Sequence, residues 1–571
     1  MHIRQLLSIA AGLMLLTLSA TLAAGGHAKM SGKIKAHAQS GKADMVDVIV
    51  RYKVKPKRAE LDRAARMGAK TKRDYGRLKM RAMRIPAHKL DKLARHKDVE
   101  FVSADGVVLG LTEAARLTAN EPAGHTGNDA FKGGHVQVAV IDSGVTDHYD
   151  LSEKYKQYDF VGGLFPSQAD NKPLNDPFGH GTHVAGVIAG DGRGSDNSEY
   201  RGAAKKADIF SLRVLDEDGR GVVSDVIAAL DWVLQYGDSM SIRVVNLSLG
   251  KAVEIAAADD PLVQAVEAVW DAGFVVVASA GNYGRGGHFT ITSPGNSRKV
   301  ITVGSLTDAG TGTNFADDFV STYSSRGPTL YDHVLKPDLL APGNRLVAPI
   351  PDNALLRAEL PDRVVDCSQD EDRCDDYLEL SGTSMAAAMV SATAARMLDK
   401  DPGLSPDTIK ARLMRSARKI DGDATVTGTG VLDIDAAMNE TGTMTSAALS
   451  PRIAHSKDSR VILVEDTASL WGDAYWSAGY LWSDGYLWSD GYLWSDGYLW
   501  SDGYLWSDGY LWSDGYLWSD GYLWSDGYLW SDGYLWSDGY LWSDGYLWSD
   551  AVGDATPLFD AQGQSFLLND D

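Results

Sequence analysis

Three separated segments carry an acid, a base and a hydroxyl in settings that suit covalent catalysis. Asp142 ends the run VAVID, His180 lies between two glycines in GHGTHVAG, and Ser384 precedes the run MAAA. A serine hydroxyl becomes a nucleophile when a histidine takes its proton and a carboxylate orients that histidine. These residue types therefore suit acyl transfer, provided that the fold brings them together.

Each segment alone also permits a plainer interpretation. Asp142 could be a loop or cap residue, His180 a helix-start residue without chemistry, and Ser384 or Thr383 an N-cap. His180 and His183 could instead hold a metal at i and i+3, although no third ligand motif accompanies them.

A fourth segment offers an amide group. Asn282 follows the apolar run 274–278 and a glycine, so its side chain could donate a hydrogen bond to a developing oxyanion. The plainer alternative is an ordinary Gly-Asn turn.

The scaffold for these residues is predicted from apolar runs at 136–141, 242–247, 274–278 and 300–303. Continuous β-branched runs are typical of strands buried on both faces, hence of a parallel sheet with helices on both sides. Sites in such folds form at the carboxyl edge of the sheet, where Asp142 is expected.

The order Asp, His, Ser, together with six local matches, resembles the subtilisin-like serine peptidases, the subtilases. The matching stretches are AVIDSG (139–144), GHGTHVAG (179–186), VVNLSLG (244–250), SAGN (279–282), KPDLLAPG (336–343) and GTSMAA (382–387). The resemblance implies an α/β fold with a three-layer, parallel-sheet peptidase domain over residues 111–440.

The resemblance also implies a role for each matching residue. Ser384 would be the nucleophile, His180 would take its proton and pass it to the leaving amine, and Asp142 would hold the histidine tautomer. Asn282 and the backbone N–H of Ser384 would form the oxyanion hole. This chemistry requires no cofactor.

Substrate contacts are implied in the same way. Two segments would bind an extended peptide as an added strand, through Gly219, Gly221, Ser248, Leu249 and Gly250. Three further residues would line the pocket for the residue before the cut, namely Ser279, Ala280 and Gly281. Apart from Arg220 these segments carry no charge, so large apolar residues are expected before the cut.

The chain departs from the family pattern in two places. Ala388-Met389 stand where the family usually has Pro-His. An insertion holds Cys367 and Cys374, which are expected to form a disulfide in an exported protein. Asp150 aligns with a calcium ligand of the family, so a structural calcium ion completed by the loop 191–197 is a further expectation.

Residues 1–23 are interpreted as a signal peptide, with an N-terminal anchor helix as the alternative. The product would then be secreted, periplasmic or on the cell surface. Residues 24–110 are predicted to form a small α+β, ferredoxin-like unit, with strands at 46–52, 78–85 and 99–102 and a fourth strand hidden between them. One face of the strand 78–85 is expected to be wet. The unit resembles the family's inhibitory, chaperone-like prodomain.

Charge divides the chain of 571 residues. Residues 25–110 hold 22 Lys and Arg against 9 Asp and Glu, a net +13, whereas the whole chain carries −22. The basic unit is therefore expected to attract the acidic body, and a nucleic-acid-binding role for the whole chain is excluded. The absence of an internal apolar stretch of about 18 residues excludes a multi-span membrane protein.

After a linker at 441–478, the hexapeptide GYLWSD repeats twelve times without change over 479–550, followed by a tail at 551–571. A short-strand meander, a β-solenoid and a flexible, disordered tail are all compatible with this pattern. The repeat could bind a cell surface, a polysaccharide or itself.

The leading hypothesis is a secreted serine endopeptidase made as a zymogen. Its own prodomain would act as an intramolecular inhibitor until a cut near residues 105–120, and its substrates would be proteins or peptides. A surface interaction protein that works through the repeat is the alternative from another class, and an inactive subtilase is the third.

Overall fold

The structure is a computed structural model of the chain. It describes residues 29–40, 43–110, 133, 136–151, 155–162, 167–168, 175–195, 198–308, 315–365, 377–420 and 422–455, together with short strands between 461 and 560. The predicted signal peptide, Cys367 and Cys374 lie outside the described residues. Within the described part of the chain, no helix combines the length and hydropathy that a membrane span requires.

The first described unit is α+β. Its elements are helix α1 (Gly32–Gln39), strand β1 (Met45–Tyr52), α2 (Arg58–Arg66), β2 (Lys70–Tyr75), β3 (Met80–Pro86), α3 (Leu90–Ala94) and β4 (Val99–Ala104). The strands pair antiparallel in the order β2-β3-β1-β4. This β-α-β-β-α-β arrangement is the predicted ferredoxin-like unit, and β2 is the hidden fourth strand.

The sheet of this unit buries both of its faces. Val48 packs into a core formed with the unit's own helices, whereas Ile49 and Ala82 join the core of the domain that follows. The expectation of a wet face on the strand 78–85 is wrong, since only Arg84 among the residues of β3 is exposed. The reason is that the face of Met80 and Ala82 packs into the core of the following domain, whose helix α5 (Val223–Tyr236) contacts the neighbouring strand β2.

The large domain is built on a nine-stranded sheet. Its strands are β6 (Gln137–Asp142), β7 (Tyr155–Asp159), β8 (Ser167–Gln168), β9 (Asp208–Arg213), β11 (Ile242–Leu247), β13 (Val275–Ser279), β14 (Ile301–Thr307), β15 (Phe319–Val320) and β16 (Leu339–Pro342). The order is β15-β14-β13-β11-β6-β9-β7-β8, with β16 beside β14. All pairings are parallel except those of the edge strands β8 and β15. The four predicted apolar runs are β6, β11, β13 and β14.

Helices cover this sheet in a three-layer arrangement. Besides α5, they are α4 (His180–Ala189), α6 (Pro261–Asp271), α7 (Leu355–Glu359), α8 (Thr383–Lys400), α9 (Pro406–Arg415), α10 (Ala424–Thr427) and α11 (Ile434–Asn439). Helix α8 packs on β11, β13 and β14 and against α4, whereas α6 packs on β13 and against α5. The fold is thus the predicted α/β fold with a parallel sheet between helical layers.

Two small sheets flank the domain. One joins β5 (Val107–Gly110), from the end of the first unit, to β10 (Arg220–Val222) and β12 (Leu249–Gly250). The other joins β17 (Leu346–Pro349), β18 (Val364–Val365) and β19 (Tyr377–Leu380).

Beyond the hairpin of β20 (Ile453–His455) and β21 (Val461–Leu463), the repeat contributes short strands that begin at tyrosine. Repeat strands up to Tyr528–Ser537 pair in parallel and in register with an identical segment three hexapeptides further on, so Tyr480 pairs with Tyr498 and Tyr486 with Tyr504. This pairing fits the solenoid alternative, because a meander pairs neighbouring strands antiparallel.

Candidate active site

Asp142 and His180 form one half of the predicted site. Strand β6 ends at Asp142 and helix α4 begins at His180, and both side chains are buried. His180 Nδ1 lies 2.6 Å from Asp142 Oδ1, which also accepts the Ser143 backbone N–H at 2.7 Å. With Nδ1 donating to the carboxylate, Nε2 is the ring nitrogen that can accept a proton, and it has no hydrogen-bond partner among the described residues.

A second carboxylate, which the sequence reasoning missed, fixes the start of α4. Asp176 accepts the backbone N–H groups of Gly179 and Thr182, each at 2.8 Å, and the Thr182 hydroxyl at 2.8 Å. Burial raises the pKa of Asp176 even though these donors oppose the shift. An Asp a few residues before a helix is a recognisable capping signal, and here it sets the position of His180.

Helix α4 also approaches the loop after β6 very closely. A Cβ added to Gly181 would lie 2.1 Å from the carbonyl oxygen of Gly144, a distance that no side chain tolerates. The glycine after His180 therefore lets the helix carrying the histidine reach the strand end that carries Asp142.

Ser384 lies in the first turn of helix α8, as predicted. Its hydroxyl donates to the carbonyl oxygen of Ser248 at 3.0 Å, and the Ser248 hydroxyl donates to the Ser384 carbonyl oxygen at 2.9 Å. A hydroxyl has a single proton, so this proton must turn away from Ser248 before His180 can accept it. Catalytic hydrogen bonds are often unformed until substrate binds.

Two buried polar residues that were not assigned a role hold this arrangement. Asn246, at the end of β11, donates from Nδ2 to the Ser248 hydroxyl at 2.9 Å, and its Oδ1 accepts the Ser391 hydroxyl at 2.9 Å. The chain links the end of the central sheet to α8 and so fixes Ser248 beside Ser384. A buried Asn inside an apolar strand was the available signal.

Asn282 lies at the beginning of the same helix. Its Oδ1 accepts the backbone N–H and the hydroxyl of Thr383 at 3.1 and 3.0 Å, which turns its NH₂ end away from Thr383. The positive end of the helix dipole and an oriented amide therefore lie next to Ser384, an arrangement suited to an anion.

The cleft beside these residues contains an extended strand. Strand β5 pairs antiparallel with β10 on one side and with β12 on the other, and the Gly110 N–H donates to the Gly219 carbonyl oxygen at 3.1 Å. The structure thus brings together Gly219, Gly221, Leu249 and Gly250, which were predicted to bind an extended chain. Ser279, Ala280 and Gly281 are buried at the end of β13, and their lining of a pocket stays a prediction.

The predicted calcium ligand Asp150 has a hydrogen-bond donor on each carboxylate oxygen. Asp150 is buried, and its two carboxylate oxygens accept the Gly194 N–H at 2.7 Å and the Tyr377 hydroxyl at 2.9 Å. Burial raises the pKa of Asp150, and Asp191 in the neighbouring loop pairs with Arg193. Calcium would have to displace these donors, so calcium binding stays a prediction that this geometry does not favour.

The alternative metal pair of His180 and His183 is not favoured either. His183 Nε2 donates to the carbonyl oxygens of Leu346 and Leu378 at 3.1 and 2.9 Å. Burial lowers the pKa of His183 to about 3. The ring therefore acts as a neutral link between α4 and the strands β17 and β19.

The folded state is expected to lose stability as the pH falls from about 6.5 toward 3, because only the unfolded chain binds the His183 proton in that window. At pH 4.5 the expected loss is about 3 kcal/mol. Urea unfolding of an uncut chain at pH 7.5 and 4.5 measures it. His183→Asn should lose less stability between these pH values, and an equal loss in both chains would contradict the assignment.

The sequence was compared with models of known protein families and with the sequences of known proteins. Residues 133–434 match the family described as the subtilase family, peptidase S8. Serine protease AprX from Bacillus subtilis (strain 168) is 38% identical over 307 residues, 52% of this chain and 65% of AprX. Subtilisin DY from Bacillus licheniformis is 31% identical over 311 residues, 54% of this chain and 92% of that protein. The chain thus spans just under two thirds of AprX and most of Subtilisin DY.

Among solved structures, the chain is similar to fervidolysin from Fervidobacterium pennivorans, described as a keratinolytic enzyme related to subtilisin. The TM-score is 0.53 at 21% identity, and the match covers 70% of this chain and 62% of that one. At this identity the likeness concerns the fold alone.

Proposed function

The chain belongs to the subtilase family of serine peptidases, and from that membership we propose that it is an exported endopeptidase made as a zymogen. Proteins or peptides are its substrates. The observation that carries the proposal is the buried pair of Asp142 and His180 beside a cleft that already holds an extended strand.

The geometry supports a stepwise reaction. The Ser384 oxygen attacks the peptide carbonyl carbon as His180 Nε2 takes the hydroxyl proton, and the C–N bond breaks when the imidazolium passes that proton to the leaving amine. Asp142 stabilises the imidazolium through Nδ1. The Asn282 amide and the Ser384 N–H hold the oxyanion, and water then releases the acyl group by the reverse sequence.

The first α+β unit is proposed to be the inhibitory prodomain. Its sheet docks on α5, where Arg73 Nη2 lies 2.8 Å from Asp225 Oδ1 with both side chains buried, and Tyr75 donates to the Ser224 carbonyl oxygen at 2.7 Å. Asp105 accepts the Ser224 N–H at 2.9 Å in the first turn of α5. These contacts hold β5, the next strand, in the cleft.

Removing the charge of Arg73 is expected to weaken this inhibition. Arg73→Ala leaves Asp225 buried without its cation, a loss that costs about 2 kcal/mol or more at an interface, or about 30-fold in affinity. The rate at which peptidase activity appears in the purified chain should rise accordingly. Lys79→Ala, an exposed position on the same unit, is the matched control, and equal rates for the two variants would contradict the assignment.

The strand register supports a proposal for the position of the activating cut. Leu249 pairs with Gly110 and Gly250 with Leu109. A peptide bound in this antiparallel register and continued by one residue would bring that next residue opposite Ser248. The Ser248 carbonyl oxygen receives the Ser384 hydroxyl, so the reacting carbonyl belongs at Leu111. The scissile bond is therefore proposed to join Leu111 to Thr112, inside the range 105–120 expected from the sequence.

Self-cleavage of the purified chain is expected to give a new N-terminus at Thr112. Intact-mass and N-terminal analysis of the two products measure it, with a chain carrying Leu111→Asp as the control that should cut slowly or elsewhere. A first cut outside residues 111–112 in the unaltered chain would overturn the register argument, and no cut at all would overturn self-maturation.

The strand in the cleft also indicates what the site accepts. A Cβ at Gly110 would lie 3.3 Å from Leu215 Cδ1 and 3.6 Å from His180 Nδ1, which favours small residues two positions before the cut. Val108 is fully buried, whereas Val107 and Leu109 are exposed. Substrates with an apolar residue at the fourth position before the cut and a small one at the second should therefore react fastest.

Export and the role of the repeat complete the proposal. The signal-like residues 1–23 support release to the periplasm, the cell surface or the medium. The repeat is proposed as an accessory that binds a cell surface, a polysaccharide or another copy of itself. No cofactor takes part in the proposed chemistry.

A further inference from the structure

Three side chains that suit a metal ion converge on the first unit, away from the cleft. Glu60 of α2, His96 and Asp98 each offer one ligand atom, and these atoms lie within 4.8 Å of one another. Glu60 Oε2 is 3.2 Å from His96 Nδ1, and Asp98 Oδ2 is 4.0 Å from the same nitrogen. In the described part of the chain, this is the group of three such residues that meets that spacing.

The ligand atoms are held by ordered backbone. His96 and Asp98 lie in the turn between α3 and β4, where the Val99 N–H donates to the His96 carbonyl oxygen at 3.2 Å and the Lys53 N–H donates to that of Asp98 at 3.0 Å. Lys29 Nζ donates to the carbonyl oxygens of His96 and Val99 at 3.1 and 2.7 Å. The turn is therefore fixed before any ion binds, which lowers the cost of assembling a site.

The side chains are partly shielded from water. The exposed fractions are 16% for Glu60, 12% for His96 and 30% for Asp98. His96 Nδ1 accepts the Asp98 N–H in a long hydrogen bond of 3.4 Å and lies 3.2 Å from the Glu60 carboxylate, and an ion at Nδ1 would replace this weak hydrogen bond. Two carboxylates and an imidazole nitrogen make a donor set that binds divalent transition metals, with water in the remaining positions.

From this geometry we propose that Glu60, His96 and Asp98 form a binding site for a divalent transition metal of the zinc class. The ion binds Glu60 Oε2, His96 Nδ1 and Asp98 Oδ2, and it links α2 to the turn that leads into β4. Arg63 Nη2 lies 3.7 Å from Glu60 Oε1, the carboxylate oxygen that is not assigned to the ion.

The position of the metal site allows a bound ion to affect the strand that fills the cleft. Strand β4 leads through Asp105 to β5, so an ion that braces the start of β4 stabilises the unit that fills the cleft. This consequence rests on the proposed zymogen function. Under that function, bound metal slows the appearance of peptidase activity. Metal binding itself does not depend on that function.

Titration of the full, untagged Ser384→Ala chain with Co²⁺ tests the site, because this background stays uncut. One equivalent of Co²⁺ is expected to give visible ligand-field absorption, which Zn²⁺ abolishes by displacement. His96→Gln in the same background should weaken that binding about 100-fold, whereas His88→Gln, an exposed histidine of the same unit, should leave it unchanged. Equal titrations of the His96→Gln and His88→Gln chains would overturn the proposal.

A second variant guards against a folding defect in the first. Glu60→Gln keeps the shape of the side chain and removes one charge, and it should weaken Co²⁺ binding at least about 10-fold. Zn²⁺ should raise the thermal unfolding midpoint of the parent chain and not that of Glu60→Gln. An equal rise in both chains, or no Co²⁺ bound below millimolar concentration, would show that Glu60 and His96 form only an ion pair.

Discussion

Ser384→Ala is expected to lower peptide turnover about 10⁶-fold, the magnitude known for subtilisin when its serine is removed, and to leave the chain uncut. Alanine keeps the helix α8 and its packing but removes the oxygen that attacks the carbonyl. Turnover of a peptide with the sequence of residues 107–116, followed together with the mass of the purified chain, measures both effects.

Thr393→Val is the matched control for this experiment. Thr393 lies on the same helix, and its hydroxyl donates to the Met389 carbonyl oxygen of that helix at 2.9 Å, so its loss should change turnover far less. Cleavage of the Ser384→Ala chain at 111–112 without any added peptidase would remove the basis for Ser384 as the nucleophile.

Asp142→Asn is expected to lower kcat about 10⁴-fold while leaving the fold intact. An amide that donates to Nδ1 would favour the tautomer with the proton on Nε2, which cannot accept the proton of Ser384. The loss should appear in kcat at unchanged far-ultraviolet circular dichroism, measured on the enzyme separated from its first unit.

The control for charge removal is Asp271→Asn. Asp271 is the exposed last residue of α6 and pairs with Lys299. Neither residue belongs to the proposed site, so removing the charge of Asp271 should leave kcat nearly unchanged. If Asp142→Asn kept more than about a tenth of the kcat, the pair with His180 would have no catalytic role.

Much of the fold could be predicted because buried strands require recognisable runs of apolar residues in the sequence. The runs that became β6, β11 and β13 are rich in β-branched residues, and strands buried on both faces require such runs. His180 and Ser384 could be placed at helix starts because glycines precede them. Strand β2 escaped direct prediction because its residues, Lys70–Tyr75, are mostly charged. Of these residues only Arg73 and Tyr75 are buried, and both contact the following domain.

The features that could not be predicted depend on the positions of individual atoms rather than on residue types. The hydroxyl of Ser384 pairs with the Ser248 carbonyl oxygen, and no pattern of residues fixes the rotation of a hydroxyl. The expectation of a wet face on the strand 78–85 failed because the sequence does not show that the face of Met80 and Ala82 packs on another domain. Asp150 was aligned as a cation ligand, but its partners Gly194 and Tyr377 come from distant segments.

The three-stranded sheet of β10, β5 and β12 restricts what the enzyme can attack. A substrate segment that binds in the place of β5 forms backbone hydrogen bonds with a strand on each side. The backbone groups along both of its edges must therefore be free of other hydrogen bonds before it binds. A helix has neither edge available, and a strand inside a folded sheet has at most one. Folded proteins should therefore resist digestion until a segment about as long as the four residues of β5 unfolds locally or the whole protein unfolds. The preferred substrates would then be unfolded or locally unfolded chains.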